Sequence, residues 1–225
     1  PIVYEDEHLL VVAKPRTMAS IPRGEHIRRS ALVRLRVAHR LPDLSPIHRL
    51  DKQTGGILVL SKIPQERGAY QQLFARGEVQ KRYVAWVSGE GPTLAELERG
   101  PIEIREPIVK RHGDLWAHID PHGKEAWTSV RMMRREVESR RSLVSLVPHT
   151  GRTHQLRVHL AHVGLPIVGD ELYPAPAPDP ATGERSRRDV SEPLALWSVL
   201  MAFTDPVTGK ERRFEWWPPE VPGDD

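Results

Sequence analysis

The spacing of apolar positions changes several times along the chain, and each change predicts an element. Ile2 to Tyr4 and Leu9 to Ala13 are short apolar runs on either side of an acidic turn, Glu5 to Glu7, and Lys14-Pro15 ends the second, so two strands are expected. From 27 to 39 the period lengthens: Ile27, Ala31, Leu35 and Ala38 recur at helical spacing, with most of the local arginines on the other side. Gly56 to Leu60 is continuous rather than alternating, the pattern of a strand covered on both faces and central in a sheet. Pro64 suits the first turn of a helix running to about Arg76, where Gly77 can end it.

Further on, Val79 to Val87, Leu115 to Ile119, Glu125 to Met133 and Ser142 to Val147 read as strands separated by Gly, Pro, Asp and His clusters. Thr153 to Val163 reads as a helix with Leu156, Leu160 and Val163 on one face and Gly164 placed to end it. Residues 174–193 carry five prolines and mixed charge, the composition of a long loop. Leu194 to Phe203 and Glu211 to Trp217 then form a closing hairpin around Asp205 to Lys210. So many adjacent strands favour an α+β architecture, with a mixed, mainly antiparallel sheet and flanking helices, over a doubly wound parallel one. No repeat of fixed period is present, and 225 residues suit a single domain spanning 1–225.

Composition narrows the classes. With 39% hydrophobic residues the chain can bury one substantial core. It has no run of roughly 18 apolar residues and no secretory signal pattern, which points to a soluble, cytoplasmic protein with no membrane partner. The absence of cysteine excludes disulfides and thiolate chemistry. The formal charge is only +3, but Arg16, Arg23, Arg28, Arg29, Arg34, Arg36 and Arg40 fall in a stretch whose only acid is Glu25, a candidate polyanion surface. Arginine supplies 26 of the 33 basic residues; its planar fork suits phosphate, although genomic base composition gives the same excess.

Two segments carry candidate chemistry. His48-Arg49-Leu50-Asp51-Lys52-Gln53-Thr54-Gly55-Gly56 immediately precedes the buried strand, so a carboxylate flanked by Arg49 and Lys52 sits on a loop braced by rigid structure. The competing reading is an ordinary solvated turn. Pro148 to Arg157, with sequence PHTGRTHQLR, follows an apolar strand and opens a helix, where free N–H groups and Arg152 make an anion site. Its competitor is a surface helix capped by Thr150 or Thr153 with solvated arginines. His149, His154, His159 and His162 suggest a metal site, but only pairs of them share a helix face and no acidic ligand pattern accompanies them, so no metal is expected. The HRLD order differs from the kinase HRD loop, and no glycine-rich nucleotide loop precedes it.

Together the segments resemble one family. HRLDKQTGGILVLSK is similar to the HRLDxxTSG signature of the RluA-type pseudouridine synthases, and PHTGRTHQLRVHLAHVGLPIVGDELY to their second long signature. VYEDEHLLVVAKP and KRYVAWV resemble two further family segments, in the same order, so the likeness covers about residues 2–217. It implies a pseudouridine synthase fold with a central active-site cleft, a cofactor-free isomerase, and RNA as partner, with no obligatory protein partner and a monomeric state. Carried over by position, Asp51 is the nucleophile, Arg152 its ion-pair partner and Tyr83 the ring against the target uracil. Leu156 lines the base pocket, with a helix-core role as the competing reading, and His48, Arg49 and Thr54 shape the catalytic loop or meet substrate. From the basic stretch itself, Arg28, Arg29 and Arg36 are expected to contact RNA phosphates, the alternative being a solvated helix face. Gly55 stands where the family usually has Ser, and an altered turn is expected there. The small S4 RNA-binding domain of many relatives is not expected, which leaves target selection to the catalytic domain. A non-catalytic RNA-binding module would not need Asp51, Tyr83 and Arg152 together, and an aspartate-dependent hydrolase would release free uracil or sugar.

Overall fold

The structure, a computed structural model, describes residues 1–22, 30–90, 92–177 and 185–223. In chain order the elements are β1 (Ile2–Glu5), β2 (Leu9–Lys14), α1 (Ala31–His39), β3 (Ser45–Pro46), β4 (Gly55–Ser61), a 3-10 turn (Pro64–Glu66) leading into α2 (Arg67–Arg76), β5 (Gln80–Ser88), α3 (Pro92–Arg99), β6 (Ile102–Ile104), β7 (Ile108–Val109), β8 (His118–Ile119), β9 (Thr128–Glu136), β10 (Arg141–Pro148), α4 (Gln155–His162), β11 (Leu196–Thr204) and β12 (Glu211–Glu215). The class is α+β with mainly antiparallel pairing, as the strand-rich pattern predicts. No helix among the described residues is long and apolar enough to cross a membrane. The chain forms two compact units, Pro1–Arg82 with Trp197–Asp225, and Tyr83–Leu196.

In the first unit β4 is buried along its whole length, as its unbroken apolar run requires. It pairs antiparallel with β2 and parallel with β11, while β1 extends β2 and β12 extends β11. Leu9, Val11, Ile57, Val59, Tyr70 and Phe203 form the core. The two glycines that open β4 are what let β11 come so close. Gly56 has φ +97°, and a Cβ there would lie 2.1 Å from the Ser198 carbonyl oxygen. A Cβ on Gly55 would lie 2.7 Å from Cδ1 of Trp197 and 2.9 Å from Cγ of Arg16. The Arg16 guanidinium lies 4.6 Å from the Trp197 ring centre and pairs with Glu220 at 3.2 Å. Space that a serine side chain would need is therefore filled by an indole.

Helix α2 ends at Gly77 in the left-handed conformation, as expected. Helix α1 differs from its expected span. It starts at Ala31 because Ser30 caps it, its hydroxyl accepting the Val33 N–H, and it buries Ala31 and Leu32 while Ala38 is exposed. Ile27 lies outside the described residues. At the other end of this unit, Arg212 Nε donates to Asp205 at 2.9 Å, its terminal nitrogens reach Asp6 at 2.8 Å and the Tyr4 hydroxyl at 2.8 Å, and the Tyr70 hydroxyl donates to Asp205 at 3.1 Å.

In the second unit β5, β10, β9 and β6 pair antiparallel in that order. Thr128 and Val130 are buried beside Ile102, Ile104 and Leu146, while Ser129 and Arg131 between them turn outward. Helix α4 lies on the buried side, where Gln155 and His159 both bond the Thr128 hydroxyl at 3.0 Å. Helix α3 and strand β6 are additions to the predicted elements. The expected strand Leu115 to Ile119 shrinks to β8, because the Ala117 N–H goes to the Tyr173 hydroxyl at 2.7 Å instead of to a strand. The expected strand Glu125 to Met133 begins only at Thr128: the Glu125 and Trp127 carbonyls accept from Arg152 and His149.

Two outcomes test this packing. Gly55→Ser should destabilise the chain by about 1–3 kcal/mol through overpacking against Trp197. In a chain that also carries Trp197→Leu it should cost much less, a non-additivity read from urea unfolding of the four variants. Arg212→Ala should cost about 3–5 kcal/mol by leaving the buried Asp205 carboxylate unpaired. Burial raises the Asp205 pKa, but the Val207 and Thr208 N–H groups and the Arg212 guanidinium more than offset this and hold it below the usual value. That stabilisation is fully present above the unfolded value near ~4 and is lost as pH falls through the folded one, so the gap between wild type and variant should narrow in acid.

Candidate active site

Asp51 occupies the first position of a β-turn closed by the Thr54 N–H donating to the Asp51 carbonyl at 3.1 Å, a position that suits aspartate. The turn is regular despite Gly55; what differs there is the packing against Trp197. Both neighbours of Asp51 are pinned. The buried Ser20 hydroxyl donates to the Leu50 carbonyl at 2.8 Å and accepts the Leu50 N–H at 3.1 Å. Lys14, only 2% exposed, directs its ammonium at the carbonyls of Pro15 (3.0 Å), Met18 (2.6 Å) and Lys52 (3.2 Å). Burial brings the Lys14 pKa down to about 8, against the opposing pull of the Asp51 carboxylate.

His48 also braces the loop. Its Nε2 accepts the Val59 N–H at 3.1 Å, and its ring stacks on Phe74 with centroids 5.2 Å apart. Burial, with the charge of Lys81, lowers its pKa to about 3, so the ring is neutral with its proton on Nδ1. Thr54 is buried, and Arg49 is exposed with no hydrogen-bond partner among the described residues of its unit. Arg36 is half-buried and donates from Nε to the Leu44 carbonyl at 2.9 Å. Arg28 and Arg29 lie outside the described residues.

Tyr83, Leu156 and Arg152 belong to the second unit. Tyr83 is half-buried on β5 opposite Leu146, and Leu156 is buried on α4. Arg152 donates from Nε to the Glu125 carbonyl at 2.8 Å, while its terminal nitrogens have no partner among the described residues of this unit. Gln155 organises the loop before α4. Its Oε1 accepts the Arg152 N–H at 3.0 Å and the Thr150 hydroxyl at 2.7 Å, and its Nε2 donates to the Trp127 carbonyl at 2.9 Å. The Arg152 N–H is therefore engaged and not free for an anion.

Nor is α4 capped by Thr150 or Thr153. Its N-cap is His154, left-handed at φ 57° and without a side-chain cap bond; the His154 ring meets the Tyr173 hydroxyl instead, at 2.9 Å. The arginines of this helix are not all solvated either. Arg157 is buried in a two-point ion pair with Asp170, at 2.8 and 2.6 Å, and Asp170 also accepts the N–H groups of Leu172 and Tyr173.

The first unit thus brings Asp51 together with Lys14, Ser20 and Thr54, and the second gathers Arg152 with Gln155 on a loop anchored through α4. Lys14, Ser20, Gln155 and Asp170 were missed as supporting residues. A lysine closing a wholly apolar strand was the available signal for Lys14. No group of three or more potential metal ligands gathers among the described residues. The residues present supply a half-buried carboxylate on a rigid turn, an arginine whose terminal nitrogens have no partner among the described residues of its unit, and a tyrosine.

The chain matches the family model described as RNA pseudouridylate synthase over residues 8–162. It is 34% identical over 208 residues to the dual-specificity RNA pseudouridine synthase RluA of Vibrio parahaemolyticus, covering 91% of this chain and 78% of that one. It is 36% identical over 179 residues to the ribosomal large subunit pseudouridine synthase C of Buchnera aphidicola, covering 76% of this chain and 53% of the relative. Among solved structures, human RNA Pseudouridylate Synthase Domain Containing 1 shares the fold with a TM-score of 0.76 at 24% identity, over 98% of this chain and 84% of that one. Motifs, fold and relatives agree, and the chain belongs to the RluA-type RNA pseudouridine synthases, a family of isomerases.

Proposed function

We propose that the chain converts specific uridines of structured ribosomal or transfer RNA to pseudouridine, with Asp51 as nucleophile, Arg152 as its ionic partner and Tyr83 as the ring that packs on the target uracil. The observation that carries this reading is the bracing of Asp51: Ser20 fixes the residue before it, Lys14 the residue after it, and its own carbonyl closes the turn. Such fixing suits a side chain that must meet a reacting atom in one geometry.

The reaction balances without a redox group or second substrate. The bond from uracil N1 to ribose C1′ breaks, the base turns, C5 bonds to C1′, C5 loses a proton and N1 gains one. Asp51 holds the intermediate between breaking and joining. Arg152, tethered through Nε, has terminal nitrogens available to keep that carboxylate ionised. The Tyr83 hydroxyl is a candidate for helping to remove the C5 proton. Leu156 lines the base pocket, His48 and Thr54 shape the loop, and Arg49 meets phosphate, as do Arg36, Arg28 and Arg29. Both units serve as one catalytic domain that works as a cytoplasmic monomer with no metal, cofactor or obligatory protein partner.

RNA from a strain lacking the gene should gain pseudouridine on incubation with the protein, without strand scission or free base; free uracil would instead indicate a hydrolase. Asp51→Asn should abolish pseudouridine formation while RNA affinity stays within a few fold, because the amide is isosteric but a poor nucleophile. Substantial turnover by that variant would remove Asp51 from the role. Tyr83→Ala should lose more turnover than Tyr83→Phe, since phenyl keeps the packing face; equal losses would assign the role to the hydroxyl.

A further inference from the structure

The second unit carries an aromatic and cationic cluster that the catalytic reading does not use. Glu103 pairs with Ser129, Ser129 with Val147 and Arg131 with Ser145, so these side chains share the face of β6, β9 and β10 opposite the helix-covered one. At the end of that face the exposed His149 ring lies flat on Trp127, with centroids 3.8 Å apart and planes 18° apart. The exposed Arg105 guanidinium also lies over the Trp127 ring, 4.1 Å from its centre.

The polar edges of this stack are locked. Trp127 Nε1 donates to the Glu103 carboxylate, and the Ser129 hydroxyl donates to the same oxygen at 2.9 Å. Having given its proton to Glu103, Ser129 accepts from His149 Nε2 at 2.7 Å, which fixes the imidazole tautomer and plane. The Trp127 N–H donates to Thr150 at 2.9 Å and the His149 N–H to the Trp127 carbonyl at 3.0 Å, tying the stack to the loop that carries Arg152.

Charge points to the occupant. In the β9–β10 hairpin Arg134, Arg135, Arg140 and Arg141 each reach a glutamate. Arg131 is exposed and meets no acid among the described residues, and Arg105 has no hydrogen-bond partner among them. Arg131, and Arg105 stacked on Trp127 near the Glu103 carboxylate, lie beside a rigid exposed ring, an arrangement that matches a single-stranded nucleic acid: phosphates for the charges and a base for the ring.

We propose that this face is a second RNA contact, in which an unpaired nucleobase flanking the target nucleotide stacks on His149 while Arg105 and Arg131 hold neighbouring phosphates. The proposal rests on the reading of the chain as an enzyme of structured RNA, and it adds a recognition surface outside the chemistry.

On a stem-loop RNA carrying the mapped uridine, His149→Ala should raise KM roughly tenfold, the scale of one lost base stack, with kcat within about twofold. His149→Tyr, which keeps a stacking face, should restore most of the loss. Arg105→Gln with Arg131→Gln should flatten the slope of log affinity against log salt by about 0.7 per contact removed. A second arm needs no turnover: anisotropy of a fluorescent unpaired RNA of about twelve nucleotides, within the span such sites cover, should show the same losses. Unchanged affinity and salt slope in both arms, with the fold intact by circular dichroism, would overturn the proposal and leave the face to a protein partner or to solvent. An inactive wild type that still loses RNA affinity in these variants would count against the enzyme reading and not against this surface.

Discussion

The buried ammonium of Lys14 is the constraint around which the first unit is arranged. A cation so far from solvent is costly unless its protons are all satisfied, and here they reach three backbone carbonyls on two segments. That requirement draws the chain after β2 and the turn after Asp51 together. Ser20 makes the reciprocal contact at Leu50, and the glycine pair at the head of β4 allows β11 to lie against the base of the turn. A reactive carboxylate on a loop thereby acquires the rigidity of a strand, which is what a fixed reaction geometry requires.

The second unit solves the same problem with a carboxylate in the buried role. Asp170 is saturated by Arg157 and by two backbone N–H groups, so α4 and the segment after it are joined at one point. Buried ion pairs contribute little net stability compared with apolar residues of equal volume, but removing one partner is expensive. The arrangement holds α4 in position, and with it Gln155, the side chain that shapes the Arg152 loop.

Elements whose pattern lay within one segment were legible. The continuous run of β4, the glycine stop after α2 and the apolar stretches of β5 and β10 bounded by turn residues each declare themselves within a few residues. The start of α1 was also readable, since Ser30 is a good cap, but the longer periodicity through Ile27 obscured it. Leu94 and Leu97 have helical spacing, but two apolar positions between Pro92 and the Gly100-Pro101 pair are too short a pattern to declare a helix. What the sequence hides is contact between distant residues. Nothing near Arg157 announces Asp170, nothing near Gly55 announces Trp197, and the stack of Trp127 with His149 exists only once β9 and β10 are paired. The family motifs marked the candidate residues, but not what braces them.

His48 and Lys14 together give the catalytic loop an uneven response to acidity. Histidine is ordinarily the side chain that switches near neutrality, but here it stays uncharged down to about pH 3, so its bond to Val59 survives mild acid. Change comes from the alkaline side, where Lys14 loses its proton near pH 8. The unfolded chain keeps that proton to about pH 10.4, so between the two values unfolding takes up a proton and Lys14 makes the fold more stable as pH rises. Alkali therefore removes a positive charge from beside Asp51 and leaves a neutral amine with two protons for three carbonyls, so the charge of this loop and one of the bonds that tie it change in the same step.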